Sequence, residues 1–104
     1  MAHLDVFRNP DATTASVIPY VVDVQSELLA GLPTRVVIPL AYAEAIETPI
    51  LRLNPTVGVG DTALVALTQD MASVSNRLLR NPVANLSPQH DEILAALDFL
   101  FTGF

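Results

Sequence analysis

Cysteine, lysine and tryptophan are absent from this chain of 104 residues. Without cysteine there is no disulfide framework and no thiolate metal site, which is compatible with a cytoplasmic location. No apolar run approaches the roughly 20 residues of a membrane span, and the first residues lack the basic and apolar regions of a signal peptide. We therefore expect one soluble, cytoplasmic domain, residues 1–104, with no membrane partner.

Positive charge is also scarce, since eleven acidic residues face five arginines and the formal net charge is −6. The cations are spread along the chain, at Arg8, Arg35, Arg52, Arg77 and Arg80. Nucleic-acid binding depends strongly on neutralised phosphates, so direct nucleic-acid binding is not expected. A hydrophobic content of 51% excludes global disorder, and the length suits a single core. A protein partner fits this composition better.

The last segment, residues 87–104, is predicted to form one amphipathic helix. Ser87 is a favourable N-cap, and Pro88 sits where a missing N–H costs nothing. Apolar residues then recur at helical spacing, namely Ile93, Leu94, Leu97, Leu100 and Phe101. Three of the four phenylalanines lie in the final six residues. Because ordinary termini are polar and fray, we expect this end to be packed or to bind a partner.

Upstream, alternating apolar residues predict several short strands. The clearest is 20–26, with Asp23 and Gln25 on a face that is either wet or paired with something polar. Further strands are predicted at 4–7, 34–40, 51–59, 62–68 and, as a last short strand, 78–83. Pro39 implies an edge position or a bulge, and Gly60-Asp61 is a hairpin signal. The pattern predicts a small antiparallel barrel or sandwich with the helix on one side, completed as a symmetric dimer.

Residues 27–33 combine turn residues with three leucines. Gly31 and Pro33 indicate a turn, and Leu28, Leu29 and Leu32 lie within it. Leucines in a loop either cap the core or form a contact patch. The pattern alone favours capping.

Residues suited to catalysis are few. The only histidines are His3 and His90, and neither has a convincing nucleophile or metal-binding partner in the sequence. Asp91 and Glu92 are adjacent and diverge on a helix, so they cannot share one proton. No phosphate-binding glycine loop is present. We expect no catalytic residue, no metal and no cofactor, and a protein that is not an enzyme.

Four segments of the chain form a specific combination: 20–26 (YVVDVQS), 35–40 (RVVIPL), 68–74 (TQDMASV) and 100–104 (LFTGF). In order and spacing they resemble the CcdB toxins of bacterial toxin–antitoxin pairs. The resemblance implies a small antiparallel SH3-like barrel of the CcdB/MazF type, mainly β with a C-terminal α-helix, assembled as a homodimer.

The same resemblance implies a function. CcdB-like toxins bind the A subunit of DNA gyrase and trap the complex in which DNA is cleaved, and a CcdA-like antitoxin neutralises them. By position, the implied gyrase contacts are Leu28, Leu29, Asp98, Phe101, Thr102, Gly103 and Phe104. Two alternatives stay open: a MazF-like endoribonuclease, against which the charge of −6 argues, and a toxin-like relic that binds antitoxin without poisoning gyrase.

The sequence departs from the family pattern at two implied contacts. Thr102 stands where the family has a tryptophan that packs against an arginine of gyrase, and Asp98 stands where it has an asparagine. Threonine cannot stack on a guanidinium, so a contact worth up to ~2 kcal/mol is absent unless Phe101 or Phe104 supplies the ring. The resemblance also implies an acidic, flexible antitoxin, and because this chain is itself acidic, apolar anchors are expected to carry most of the affinity for it.

Overall fold

Antiparallel pairing organises the chain in the computed structural model, which describes residues 2–103. The strands are β1 (Asp5–Arg8), β2 (Tyr20–Asp23), β3 (Thr34–Tyr42), β4 (Thr56–Val59), β5 (Thr62–Ala66), β6 (Ala72–Ser75) and β7 (Ala84–Asn85), and the helix is α1 (His90–Thr102). The strand order is β4-β5-β3-β2-β1-β7, with β6 also paired to β3. The predicted fold class is confirmed: the protein is mainly antiparallel β, a nearly closed barrel with a single C-terminal helix.

The longest strand, β3, lies at the centre of the sheet. It pairs with β2 on one side, and on the other with β6 through 34–37 and then β5 through 40–42. The expectation that Pro39 marks an edge or a bulge was therefore wrong. Leu67 N donates to Pro39 O (2.9 Å), so Pro39 faces the side where the partner changes from β6 to β5. At that gap the missing N–H removes no ladder hydrogen bond.

Both faces of the sheet are covered. One face forms the main core, which the helix closes with Ile93; its buried strand residues include Val6, Val22, Ile38, Leu40 and Leu64. The opposite face buries a smaller cluster, made of Phe7, Val21, Val37 and Leu79. Burial on both faces explains why β2 and β3 read as nearly continuous apolar runs with few polar interruptions.

The terminal helix begins where predicted but is capped differently. A 3-10 turn, Ser87–Gln89, leads directly into α1. Ser87 is inside this turn, and its N–H donates to Asn85 Oδ1 (2.8 Å), so its predicted N-cap role was wrong. At the other end Gly103 adopts a left-handed φ of 79° and its N–H donates to Phe99 O (3.0 Å), a glycine C-cap. Phe104 lies outside the described residues.

Two strand predictions in the second half of the chain were wrong. Residues 72–75, for which no strand was predicted, form β6, and because its side chains are mostly exposed it carries no strong apolar period. The strand predicted at 78–83 is instead a 3-10 turn, Asn76–Leu78, followed by an irregular segment that Leu79 anchors in the smaller core. The last strand is β7, two residues long. The Gly60-Asp61 hairpin between β4 and β5 was correctly predicted.

The remaining boundaries shifted by a few residues. Strands predicted at 20–26 and 51–59 are shorter, ending at Asp23 and beginning at Thr56, whereas the strand predicted at 34–40 extends to Tyr42. No helix within residues 2–103 is long and apolar enough to cross a membrane.

Candidate functional site

The turn after β2 exposes its leucines instead of burying them. A 3-10 turn, Glu27–Leu29, opens this segment, and Leu28 is 95% exposed while Leu29 is 48% exposed. Leu32 is also largely exposed. The expectation that these leucines cap the core was therefore wrong. We call residues 27–32 the leucine turn.

The backbone of the leucine turn is held by two side chains that precede it. Ser26 Oγ accepts from Leu28 N (3.1 Å), which caps the 3-10 turn. Gln25 Nε2 donates to the carbonyl of Leu29 (3.4 Å), inside the turn, and to that of Thr34 (3.2 Å), which follows it. The Gln25 Oε1 atom accepts from the backbone of β3, at Val36 N (3.1 Å). One amide side chain thus ties both arms of the turn to the sheet.

A buried ion pair lies under Gln25. Arg35 Nε donates to Asp23 Oδ2 (2.8 Å), and both side chains are fully buried. Asp23 Oδ1 accepts from Gln25 N (3.0 Å), and Arg35 Nη2 donates to Gln25 O (3.3 Å). Such hydrogen bonds offset the desolvation cost of burying two charges. The sequence left this face either wet or paired with something polar, and the structure shows pairing: the Asp23 side chain pairs with Arg35, and the Gln25 side chain pairs with backbone groups.

The end of α1 exposes a second set of apolar side chains. Leu94 and Phe101 are seven residues apart, so they lie on one side of the helix, with Asp98 between them. Phe101 is 70% exposed, and Asp98, Thr102 and Gly103 are exposed too. The Thr102 hydroxyl donates to Asp98 O (2.7 Å), so its own helix occupies this donor. The stripe of Leu94, Asp98 and Phe101 is called here the helix stripe.

The neighbouring aromatic residue on α1 is covered. The Arg52 guanidinium carbon lies 5.0 Å from the centroid of the Phe99 ring, a cation–π contact across the surface. Phe99 is accordingly half-buried, whereas Phe101 has no such cover. Of these two aromatic rings, Phe101 is the one available to a partner.

The leucine turn and the end of α1 are separate within one protomer. Glu27 Oε1 accepts from His3 N (3.2 Å), and the His3 ring meets the His90 ring edge-on, 5.9 Å between centroids. This chain of contacts leads to the beginning of α1, whereas Phe101 lies about 16 Å further along the helix axis. Among residues 2–103 no hydrogen bond joins the leucine turn to α1. Asp98, Phe101, Thr102 and Gly103 lie together at the end of α1, and no hydrogen bond within residues 2–103 links them to Leu28 or Leu29.

Sequence reasoning missed two exposed leucines. Leu94, one of the residues at helical spacing in the predicted helix, is 38% exposed and extends the helix stripe. Leu78 is 56% exposed and belongs to a segment that Asn76 joins to the leucine turn, through Asn76 N to Pro33 O (3.0 Å) and Asn76 Nδ2 to Leu32 O (3.4 Å). The apolar period of the helix signals Leu94, but nothing local in the sequence signals Leu78.

A cleft of about 510 Å³ lies elsewhere, between the segment 49–56 and the first half of α1. Buried Asn54 shapes it by accepting from Ile50 N (2.9 Å) and donating to Ala66 O (3.0 Å). Leu51 is 87% exposed at its rim, and Glu92 lines its helix side. The cleft is outside both parts of the predicted contact surface.

The described part of the chain holds no cluster of three histidine or acidic residues that could bind a metal ion. A hydrogen bond from the Thr13 hydroxyl holds the pKa of the Asp11 carboxyl below its usual value, but Asp11 lies in the loop between β1 and β2, away from both exposed apolar sets. The main exposed features are apolar side chains, such as Leu28 and Phe101, on backbone that hydrogen bonds hold in place. Exposed apolar residues of this kind are typical of a protein-binding site.

The fold is a small, nearly closed antiparallel barrel with a single C-terminal helix, and its surface exposes large apolar side chains such as Leu28 and Phe101. The family model described as CcdB protein matches residues 3–103 of this chain. The chain therefore belongs to the CcdB family, and this membership supports its assignment as the toxin of a toxin–antitoxin system.

Proposed function

We propose that this protein is a toxin that binds the A subunit of DNA gyrase, traps the complex in which DNA is cleaved, and is neutralised by a CcdA-like antitoxin. The observation that carries the proposal is the exposure of Leu28 and Phe101 at the positions that the family resemblance assigns to gyrase contact. Neither side chain belongs to the buried hydrophobic clusters of the described residues. Large exposed apolar residues of this kind supply binding energy when a partner buries them.

The bracing of the leucine turn supports binding as its role. Leu28 contributes almost nothing to folding at 95% exposure, yet Ser26, Gln25 and the Asp23–Arg35 pair fix the backbone that presents it. A preorganised turn loses less conformational entropy when it binds, so more of the apolar contact energy appears as affinity.

Phe101 and Asp98 offer a substitute for the tryptophan contact that this chain lacks. Phe101 is a bare ring at the end of α1, and Asp98 is an exposed carboxylate on the same stripe. Together they suit an arginine of the partner, the ring by cation–π attraction and the carboxylate by a charge-assisted hydrogen bond. We assign this pair the part that the family tryptophan and asparagine play.

The proposed active form is a homodimer. In one protomer the leucine turn and the helix stripe belong to separate elements, and a two-fold axis near the end of α1 gives one surface carrying both copies of the stripe. Light scattering at micromolar concentrations is expected to give twice the monomer mass. A monomer mass over that range would remove the symmetric surface from the proposal.

A plasmid cleavage assay tests the proposed target. Gyrase, supercoiled plasmid and ATP are incubated with the protein, and linear DNA after detergent and protease treatment reports trapped cleavage complexes. The wild type should produce linear DNA, Leu28→Ser and Phe101→Ser should produce far less, and Leu51→Ser, an equally exposed leucine at the cleft, should match the wild type.

The same assay separates the alternatives. If the wild type produces no linear DNA yet binds its antitoxin, the protein is a relic in the sense used above. A defined RNA substrate is run in parallel, and its specific cleavage by the wild type would favour the endoribonuclease alternative.

A further inference from the structure

The two histidines of the chain meet in the fold although they are far apart in the sequence. His3 precedes β1 and His90 begins α1, and their ring centroids lie 5.9 Å apart with the ring planes at 73°. His3 is half-buried, and the His90 side chain is 46% exposed. The pair therefore lies at the surface and is open to water.

Each ring has its Nδ1 atom against an oxygen that can only accept a hydrogen bond. His3 Nδ1 lies 3.3 Å from the backbone oxygen of Gln25, and His90 Nδ1 lies 3.1 Å from Oδ1 of Asp91, an exposed carboxylate. A carbonyl or an ionised carboxylate offers no proton, so Nδ1 is the donor in both rings. A neutral imidazole carries one N–H, and its position on Nδ1 leaves a lone pair on Nε2. Neither Nε2 atom has a hydrogen-bond partner among residues 2–103.

The charges next to the pair favour a cation. Glu27 Oε1 accepts from His3 N (3.2 Å), and the Asp91 carboxylate lies against the other ring. Arg35 Nη2 donates to the same carbonyl oxygen that His3 contacts, but Asp23 neutralises this arginine. The whole protein has a formal charge of −6. The electrostatic potential at the pair should therefore attract a positive ion.

We propose that His3 and His90 form a binding site for one Zn²⁺ or a chemically similar late transition-metal ion, through their two Nε2 atoms. Neutral imidazole nitrogens suit Zn²⁺, Cu²⁺ and Ni²⁺, whereas Mg²⁺ and Ca²⁺ prefer oxygen ligands. An ion bound at ~2.0–2.1 Å to two imidazole nitrogens holds the ring centroids roughly 4.5–6.5 Å apart, a range that includes the observed 5.9 Å. An oxygen acceptor on the other ring nitrogen, which both histidines have, is the usual companion of a metal-bound histidine.

The site offers two protein ligands, fewer than the three or four of catalytic and structural zinc sites, so water completes the coordination. The ion is therefore exchangeable, and the protein folds without it. When bound, it joins the segment before β1 to the beginning of α1, beside Glu27 of the leucine turn. The sequence alone pairs neither histidine with the other, because they come together only in the tertiary fold.

Calorimetric titration with Zn²⁺ alone, on protein without a histidine tag, tests the site. At about pH 7.5, where imidazoles are mostly neutral, the wild type should bind one ion per protomer. His3→Gln and His90→Gln should each weaken binding by about tenfold or more, because each variant keeps a single imidazole.

A matched pair of carboxylate variants tests the role of Asp91. Asp91→Asn should weaken Zn²⁺ binding several-fold, because it removes the negative charge that holds the His90 ring. Asp61→Asn removes the same charge from the exposed hairpin between β4 and β5 and should bind as the wild type does. None of the four substituted side chains is buried, so thermal melts without Zn²⁺ should differ little from that of the wild type.

The nitrogen chemical shifts of the two rings give a measurement that needs no variant. Without metal, both rings should show the proton on Nδ1, and Zn²⁺ should move both Nε2 signals together. At about pH 5, where imidazoles are normally protonated, neither signal should respond to Zn²⁺, because protons occupy the same lone pairs.

Three results would overturn the inference. The wild type could fail to bind Zn²⁺ at millimolar concentration, or the rings could carry their protons on Nε2. Binding by His3→Gln as tight as that of the wild type, with only one Nε2 signal moving, would mean an adventitious ion on a single histidine. None of these results bears on gyrase or the antitoxin, since the inference is independent of the proposed function.

Discussion

The leucine turn and the helix stripe both expose large apolar side chains, but the fold holds them in different ways. Under the leucine turn lies a buried polar network in which Asp23, Arg35 and Gln25 make hydrogen bonds to the backbone on both sides of the turn. The helix stripe is positioned by the backbone of α1 alone, which ends in a glycine cap at Gly103. A mutation below the turn should therefore change stability and binding together, whereas one at the helix end should change binding alone.

The largest expected effect comes from breaking the buried ion pair. Arg35→Met leaves the Asp23 carboxylate buried without its partner, which should lower the free energy of unfolding by about 3–5 kcal/mol. Urea denaturation at matched protein concentration measures this, since dimer stability depends on concentration. Arg80→Met, at an exposed arginine, should change it by less than ~0.5 kcal/mol. A loss below about 1 kcal/mol in Arg35→Met would contradict the idea that the pair supports the turn.

Gln25→Ala should have an intermediate effect on stability and a disproportionate effect on binding. It removes the hydrogen bonds to Leu29, Thr34 and Val36, at a cost of about 1–3 kcal/mol, and frees the turn that presents Leu28.

Gln89→Ala is the matched control for this change. Gln89 also bridges backbone groups, accepting from Gly58 N (3.2 Å) and donating to Thr56 O (3.0 Å), but neither of these hydrogen bonds is to the leucine turn. Calorimetric titration with the gyrase A fragment should show weaker binding for Gln25→Ala only. Equal losses in both variants would mean that general loosening, and not the turn, governs affinity.

The sequence predicted those features of the fold that depend on local pattern, and it missed features that depend on tertiary contacts. Period-2 alternation and the Gly60-Asp61 signal located most strands and the hairpin, and helical spacing located α1, because these depend on local pattern. The polar face of β2 was recognised from Asp23 and Gln25, but its partner is twelve residues away on β3, a tertiary contact that no local period contains.

The errors have a common origin. Leu28 and Leu29 were expected to cap the core because leucine is usually buried, but whether a turn faces inward depends on the network beneath it. Strand β6 was missed because its exposed, mostly small side chains show no apolar period. Leu78 was missed because the link between its segment and the leucine turn is a tertiary hydrogen bond, from Asn76 Nδ2 to Leu32 O. Pro39 was assigned to an edge or a bulge because proline lacks the N–H that a central strand needs. That reasoning does not consider a strand such as β3, whose pairing partner changes along its length.

Removing the last two residues tests the end of α1, the second of the two exposed apolar regions. Deleting Gly103 and Phe104 should abolish toxicity while the melting temperature falls by only a few degrees, because an exposed helix end adds little to the core. If Phe104 instead packed onto the barrel, its loss would cost on the order of 3–5 kcal/mol and the melt would drop steeply. Such a drop would remove Phe104 from the proposed contact surface.

The smallest expected effect on stability is that of Thr102→Trp, which restores the aromatic residue of the family pattern. The change gives up the hydroxyl bond to Asp98 O, an exposed interaction, so stability should move by less than ~0.5 kcal/mol. A ring at this position can stack on a guanidinium of gyrase, which should strengthen binding by up to ~2 kcal/mol if Phe101 does not already fill that role. Thr102→Ala removes the hydroxyl without adding the ring and separates the two effects. If titration with the gyrase A fragment gives the same affinity for Thr102→Trp and Thr102→Ala, Phe101 and Asp98 already provide the arginine contact. In that case, combining Thr102→Trp with Phe101→Ser should recover the binding that Phe101→Ser loses. Failure to recover it would indicate a different binding geometry or a different partner.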